Sequence, residues 1–417
     1  MFSQPIISEP VNIELFDATT PADICLTESG SIDVEFPEHV EVNPGEEVED
    51  FMGTEGMKTY DFEGTYDSNT SIEFRNVLIH PSMKLGSGKR FIKDIHPREI
   101  ILDSSSGTTI VNEEVTVQID MMCFLPSNPQ SDYVEDEPLL EHDIWTIYGH
   151  SLEDREDRID LIKKYKRHLR TATVEIQQQI NGPPSRQVEK ALDKLNPLRE
   201  LISFIQGVEP TPIRAQITDV DGETYSEKYE HWFSYYSKSI GNAFLGANFI
   251  WGDLRDYLDE SYEDYIDKRD PYHLNMVISW YLDSINTTRT LDTRMASICS
   301  GIELFAKRYS DHGPRYTKTR DRVGYLVNTL RIETKDLAKF SGTYDSSKRY
   351  NHEYFYSYSR QYVIHGDNLK ITSDELYKDH EATLTLFQRL LRNQFLDSDN
   401  LDNHFRLNSL SAEDNRL

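Results

Sequence analysis

Between about residues 30 and 150 apolar and polar side chains alternate, whereas from about residue 230 onward apolar residues recur every three or four positions. That change of period constrains the fold more than any other feature. A period of two suits a half-buried strand, and one near 3.6 suits an amphipathic helix. Alternation is plain in Ser31-Ile32-Asp33-Val34-Glu35-Phe36 and in Glu114-Val115-Thr116-Val117-Gln118-Ile119-Asp120. Further strands are expected at 58–66, 71–79, 99–103 and 142–148, with turn residues between them. The pattern reads as an antiparallel β domain of the sandwich type.

The segment 152–180 reads as a charged helix stopped by Asn181-Gly182-Pro183-Pro184. A second helix is expected over 186–206, with Ser185 as its N-cap and Gly207 at its end. Two short runs between 211 and 230 flank Asp221-Gly222, a hairpin signal. Apolar stripes then follow one another. Trp232, Tyr236, Ile240, Phe244, Ile250, Leu254 and Tyr257 make the first, and Leu274, Val277, Ile278, Tyr281, Leu282 and Ile285 the next. The most regular is Leu291, Met295, Ile298, Ile302, Phe305 and Tyr309, and a last helix with Leu376, Phe387, Leu390 and Leu391 follows Ser373 as N-cap. The expected fold class is α+β: an N-terminal antiparallel β domain with added helices (1–230), then a C-terminal all-α helical bundle (231–396) and a polar tail (397–417).

A chain of 417 residues exceeds one ordinary core, which supports two domains. Cys25, Cys123 and Cys299 are widely spaced with no C-x-x-C, so neither a disulfide framework nor a thiolate zinc site is indicated. No H-E-x-x-H occurs, and no metal or cofactor is expected. No apolar run approaches the ~18 residues needed to cross a bilayer, and the N-terminus lacks a basic, apolar signal. A cytoplasmic protein is expected.

The net charge of −28 would repel nucleic acid in dilute buffer. Acids dispersed along the whole chain, with Arg outnumbering Lys, fit a halophile, because the Debye length falls to ~3 Å at 1 M salt. The charge is uneven, however. Between Lys307 and Lys370 there are thirteen basic residues and seven acidic ones, so this window is +6 in a chain whose remainder is −34. Lys348 and Arg349 lie in it, just upstream of the feature most suggestive of chemistry.

That feature is Ser359-Arg360-Gln361-Tyr362-Val363-Ile364-His365-Gly366-Asp367. A guanidinium stays charged and matches phosphate oxygens, while an imidazole titrates near neutrality and moves protons. RNA carries its own nucleophile, the 2′-OH. An Arg and a His therefore suffice in principle to deprotonate it, steady the phosphorane and protonate the leaving oxygen, without a metal.

The R-x-x-x-x-H pattern, with Gln361 in a polar slot after the Arg and Gly366 after the His, resembles the motif of the HEPN superfamily, especially its Apea-like branch. A second patch, Met295-Ala296-Ser297-Ile298-Cys299-Ser300-Gly301-Ile302-Glu303-Leu304-Phe305, is similar to the helix that precedes the motif in such domains. The resemblance implies a HEPN-like helical bundle with metal-independent endoribonuclease activity that leaves a 2′,3′-cyclic phosphate. It also implies a role in toxicity or anti-phage defence, with a site formed at a homodimer interface. Arg360 would bind the scissile phosphate and His365 would be the general base or acid.

Five residues on an ideal helix set Arg360 and His365 about 140° apart, which is relieved either if His365 lies in a distorted last turn or if two chains pair their motif helices into a shared cleft; the family resemblance favours the second, through the C-terminal domains. Glu303, the one acid in an otherwise apolar helix flank, is a candidate to pair with Arg360 and hold its guanidinium, although solvent exposure is the more frequent fate of a lone Glu. Among the aromatics of an expected helix over 350–365, Tyr354, Tyr358 and Tyr362 suit packing, and Tyr356 is the better candidate to stack on RNA. Other readings stay open: a non-catalytic HEPN dimerisation or binding module, or a nucleotide-binding regulator.

Overall fold

The structure is a computed structural model. It describes residues 3–5, 10–15, 18–27, 32–42, 59–66, 70–79, 82–83, 90–103, 110–122, 138–142, 145–151, 170–218, 224–230, 254–286, 288–347, 351–366 and 370–395. Lys348, Arg349, the stripe from Trp232 to Ile250, the Asp221-Gly222 turn and the 397–417 tail lie outside the described residues.

The strands are β1 (Ser3–Pro5), β2 (Val11–Leu15), β3 (Ala18–Thr27), β4 (Ile32–Val42), β5 (Tyr60–Thr65), β6 (Ser71–Ile79), β7 (Ser82–Met83), β8 (Arg90–His96), β9 (Glu99–Asp103) and β10 (Ile110–Met122). β11 (Leu140–His142), β12 (Trp145–Ser151), β13 (Arg170–Gly182), β14 (Thr211–Thr218) and β15 (Thr224–Glu230) complete them. The helices are α1 (Pro184–Gln206), α2 (Leu254–Tyr272), α3 (Leu274–Ile285), α4 (Leu291–Asp311), α5 (Thr319–Thr329), α6 (Lys335–Phe340), α7 (Ser357–His365) and α8 (Ser373–Phe395). The protein is thus α+β, antiparallel β in its N-terminal part and helical in its C-terminal part.

Among the described residues the strands join in one continuous sheet, not in the two separate sheets of the expected sandwich. Pairings run from β6 through β5, β2, β3, β4 and β8 and back to β6, so six antiparallel strands close into a ring. Alternation explains the inside of that ring: Val11, Ile13, Ile24, Val34, Phe74 and Ile95 are each at most 1% exposed. β6 also pairs through Ser71–Arg75 with β9, from which the sheet continues to β15, β14, β10, β13, β12 and β11. Asn76 stands where β6 changes partner, at φ 53°, and its N–H donates to Asp61 Oδ1 at 2.8 Å. Asn tolerates this left-handed conformation better than most residues.

One sequence expectation fails here. The C-terminal part of the segment expected to be a charged helix over 152–180 is β13, paired with β10 on one side and β12 on the other. Thr171, Ala172, Thr173 and Val174 are all buried, and from Val174 to Gln179 buried residues alternate with more exposed ones. β-branched residues favour the pleated backbone over helix at such a position.

The chain divides into two compact units. The strands and α1 through Leu195 form one; Asn196–Glu209 joins α2 to α8 in the other. In this second unit Glu200 accepts from Arg269 Nε at 2.7 Å and Nη2 at 2.8 Å. Phe204 meets Tyr281 edge to face at 5.2 Å. α4 is the central helix, packed against α2, α3, α5, α7 and α8. Its regular apolar stripe fills that core, with Met295, Ile298, Ile302 and Phe305 fully buried. No described helix is long and apolar enough to cross a membrane.

Candidate functional site

Arg360 and His365 both lie on α7, which is shorter than the helix expected over 350–365. A 3-10 turn over His352–Tyr354 precedes it, and α7 begins only at Ser357. It ends at Gly366, whose φ of 61° is the left-handed geometry of a helix C-cap; its N–H donates to Tyr362 O at 3.1 Å.

The Arg360 guanidinium is held from two sides. Nε and Nη2 donate to the two carboxylate oxygens of Glu303 on α4, the second at 3.0 Å. Nη1 stands 3.1 Å from His365 Nε2. Arginine donates only, so His365 accepts through Nε2. The Tyr354 hydroxyl adds a 3.4 Å bond to Glu303 Oε1. The bond to Glu303 is the largest influence on Arg360 and pushes its pKa up, so the guanidinium stays charged. The Cys299 thiol, one turn before Glu303, is fully buried and also pushed up, by desolvation.

These distances correct the inference from ideal helical spacing. The two side chains diverge on paper, yet the guanidinium sits at the end of a flexible stem several ångströms long and spans the five residues to His365 at the helix exit. The pair forms within one chain, and the geometric motive for a two-chain cleft disappears.

Tyr356 is a second correction. It is 0% exposed, packed edge to face against Tyr354 at 4.9 Å and Phe355 at 5.6 Å, and cannot stack on RNA in this conformation. The helical phase used to place it outside does not run through the 3-10 turn and the junction before Ser357. Burial raises its phenol well above the usual range. Gln361 is half-buried beside Arg360, and His365 is exposed.

A support that was not expected lies behind Arg360. Asp379 on α8 is 0% exposed. Its Oδ1 accepts from Ser341 Oγ at 2.5 Å, Gly342 N at 2.8 Å and Thr343 N at 3.2 Å. Its Oδ2 accepts from the hydroxyls of Thr343 and Ser359. Ser359 immediately precedes Arg360, so the carboxylate ties α7 and the 341–343 segment to α8. The sequence held a sign of this, because Asp379 falls between Leu376 and Thr383 on the apolar stripe of α8. A lone acid on a buried stripe needs partners.

The β unit holds a separate cavity of about 480 Å³, lined among others by Glu14, Glu63, Glu73, Arg75, Asp103 and Arg186. Arg75 is engaged by Glu73 at 2.7 Å and Glu99 at 3.4 Å. Among the described residues no group of three or more His, Cys, Asp or Glu could hold a metal ion.

Neither protein-family models, curated proteins nor solved structures give a match to this chain.

Proposed function

We propose that the helical unit is a metal-independent endoribonuclease of HEPN type acting through Arg360 and His365. The observation that carries this reading is the 3.1 Å approach of Arg360 Nη1 to His365 Nε2, with Glu303 holding the guanidinium from behind. Once a phosphate draws Nη1 away, the freed lone pair of Nε2 is equipped to take a proton from a ribose 2′-OH while the guanidinium holds the phosphate. The 2′-oxygen attacks phosphorus, the P–O5′ bond breaks, and the products are a 2′,3′-cyclic phosphate and a 5′-hydroxyl. His365, protonated in that step, returns the proton to the leaving oxygen; in the homodimer that the family resemblance implies, an already protonated His365 of the second copy would give it instead, and the two imidazoles would exchange protonation states. Toxicity or anti-phage defence is the role implied by that resemblance, and a cytoplasmic setting is our reading of the few, widely spaced cysteines.

The test is cleavage of a mixed RNA pool by purified protein in EDTA and high salt. His365→Ala is expected to lose about 10² to 10⁴ in rate with the fold retained, since this side chain is exposed. An active His365→Ala protein removes the assignment.

A second reading, a non-catalytic binding module, draws on the same contacts. A guanidinium engaged by both oxygens of Glu303 is also a good helix-to-helix clamp. Under that reading Arg360→Ala lowers stability and no RNA is cut by either protein.

A further inference from the structure

From Lys307 to Arg322 the chain carries six basic residues and two acidic ones, a local +4 against a total of −28. In the fold this stretch is the last turn of α4, the connection after it and the first turn of α5. Four tyrosines gather at the same place. Tyr272 stacks on Tyr309, with centroids 5.3 Å apart and planes 25° apart. Tyr309 lies 6.0 Å from Tyr325, and Tyr325 lies 5.4 Å from Tyr316. His312 meets Tyr272 edge on at 5.1 Å.

This cluster differs from the core tyrosines of the same unit. Tyr265 and Tyr281 are 0% and 1% exposed, and both hydroxyls are hydrogen-bonded. Tyr272, Tyr309, Tyr316 and Tyr325 are all half-exposed, and none of their hydroxyls has a partner among the described residues. The cations around them are available as well. Lys307, Arg315 and Lys318 are exposed and pair with no acid among the described residues. The nearby acids are already engaged: Asp311 by Arg308 at 3.8 Å, Asp321 by Arg320 at 3.2 Å and Asp270 by Arg269 at 3.3 Å.

We propose that this aromatic and basic surface is a docking platform for single-stranded RNA, distinct from the Arg360–His365 pair. Accessible rings stack on bases only where the bases are unpaired, and lysines and arginines alongside neutralise the phosphates. Duplex RNA hides its bases and would use the cations alone. The platform and the pair share α4, because Glu303 and Tyr309 are six residues apart, about 9 Å of helix axis. The choice of RNA rests on the proposed ribonuclease function; the platform itself rests on the rings and charges.

The experiment uses the full chain carrying His365→Ala, so that substrate persists, and a fluorescein-labelled twelve-nucleotide oligouridylate followed by anisotropy at several salt concentrations. Replacing Arg315 and Lys318 by Gln should flatten the slope of log K against log salt by about 1 to 1.5 units, at roughly 0.7 per phosphate on a single strand. Tyr316→Leu should weaken binding roughly 5- to 150-fold, while Tyr316→Phe, which keeps the ring, should bind like the parent. Thermal melts identify any variant that has lost its fold, and the double Gln change alters only exposed cations. An unchanged slope, or equal binding of a duplex, overturns the platform. Cleavage by the parent chain with an unchanged slope refutes the platform and keeps the nuclease; binding that responds to these changes without cleavage does the reverse.

Discussion

Arg360 Nη1 donates to His365 Nε2 at 3.1 Å, which defines a neutral imidazole with its remaining proton on Nδ1. Protonating Nε2 would abolish the acceptor and set two cations face to face. In this geometry the one lone pair of Nε2 is taken up by Arg360, so the imidazole accepts another proton only once Nη1 moves off it. What fixes that geometry is Glu303, which occupies Nε and Nη2 and leaves Nη1 for the histidine.

Glu303→Gln tests that arrangement. Gln retains one acceptor oxygen but loses the charge and the second oxygen, and a hydrogen bond to a charged group contributes about 1.5 to 3 kcal/mol. Urea unfolding should show a loss of that order. RNA cleavage should slow by at least about tenfold, because the guanidinium is no longer held in register with His365. A parental cleavage rate in a destabilised protein would assign Glu303 to the fold alone.

Asp379→Asn should be more damaging than its near-identical shape suggests. The carboxylate accepts five hydrogen bonds in a site that is 0% exposed. An amide turns one acceptor into a donor that faces donors. The expected cost is about 3 kcal/mol or more, since both lost charge-assisted bonds and newly unsatisfied donors contribute. Hydrogen exchange should report it first in the amides of α7, which Ser359 anchors. Unchanged unfolding would mean that the network carries little of the stability of the unit.

Much of this architecture was legible because hydrophobic period reports burial directly. The β6 and β9 boundaries, the 291–309 stripe and the change from strand to helix all follow from which faces meet water. β13 was hidden because its first residues, Thr171 to Val174, are buried in succession and follow a strongly charged segment, although Val174 to Gln179 alternates. Ring closure was hidden for a different reason: it depends on β6 changing partner at Asn76, a pairing between segments distant in sequence. At the site, the residue types of Arg360, His365 and Glu303 were readable but their geometry was not. Helical phase places Cβ atoms, and an arginine acts at the far end of its side chain. Thr372 gives a smaller example. It, rather than Ser373, caps α8, through a reciprocal pair of bonds with Glu375 at 2.8 and 3.2 Å.

Tyr356→Phe should stabilise the protein. The hydroxyl is buried and has no hydrogen-bond partner among the described residues, whereas the ring is well packed. Burying an unpaired hydroxyl costs about 1 to 3 kcal/mol, so its removal should raise the unfolding free energy by a part of that. RNA affinity should stay at the parental value. A destabilised Tyr356→Phe protein would reveal a partner for the hydroxyl, and weakened RNA binding would restore this ring as a ligand contact.

Gly301→Ala sets two effects of opposite sign against each other. Gly301 lies within α4, where Ala is favoured over Gly by about 1 kcal/mol from helix propensity alone. A methyl at this position would, however, stand 2.4 Å from Phe387 Cζ and 3.0 Å from Trp280 Cβ. The Phe387 ring is fully buried and itself packs edge to face on Tyr281 at 5.9 Å, so it has no open space into which to turn. Overpacking of a filled core costs about 1 to 3 kcal/mol, which exceeds the propensity gain through most of that range. Gly301→Ala should therefore lower the unfolding free energy by up to about 2 kcal/mol and separate α4 from α8. Because Glu303 is two residues further along α4, RNA cleavage should fall with it. A stabilised variant with full activity would show that α4 and α8 pack less closely than these distances require.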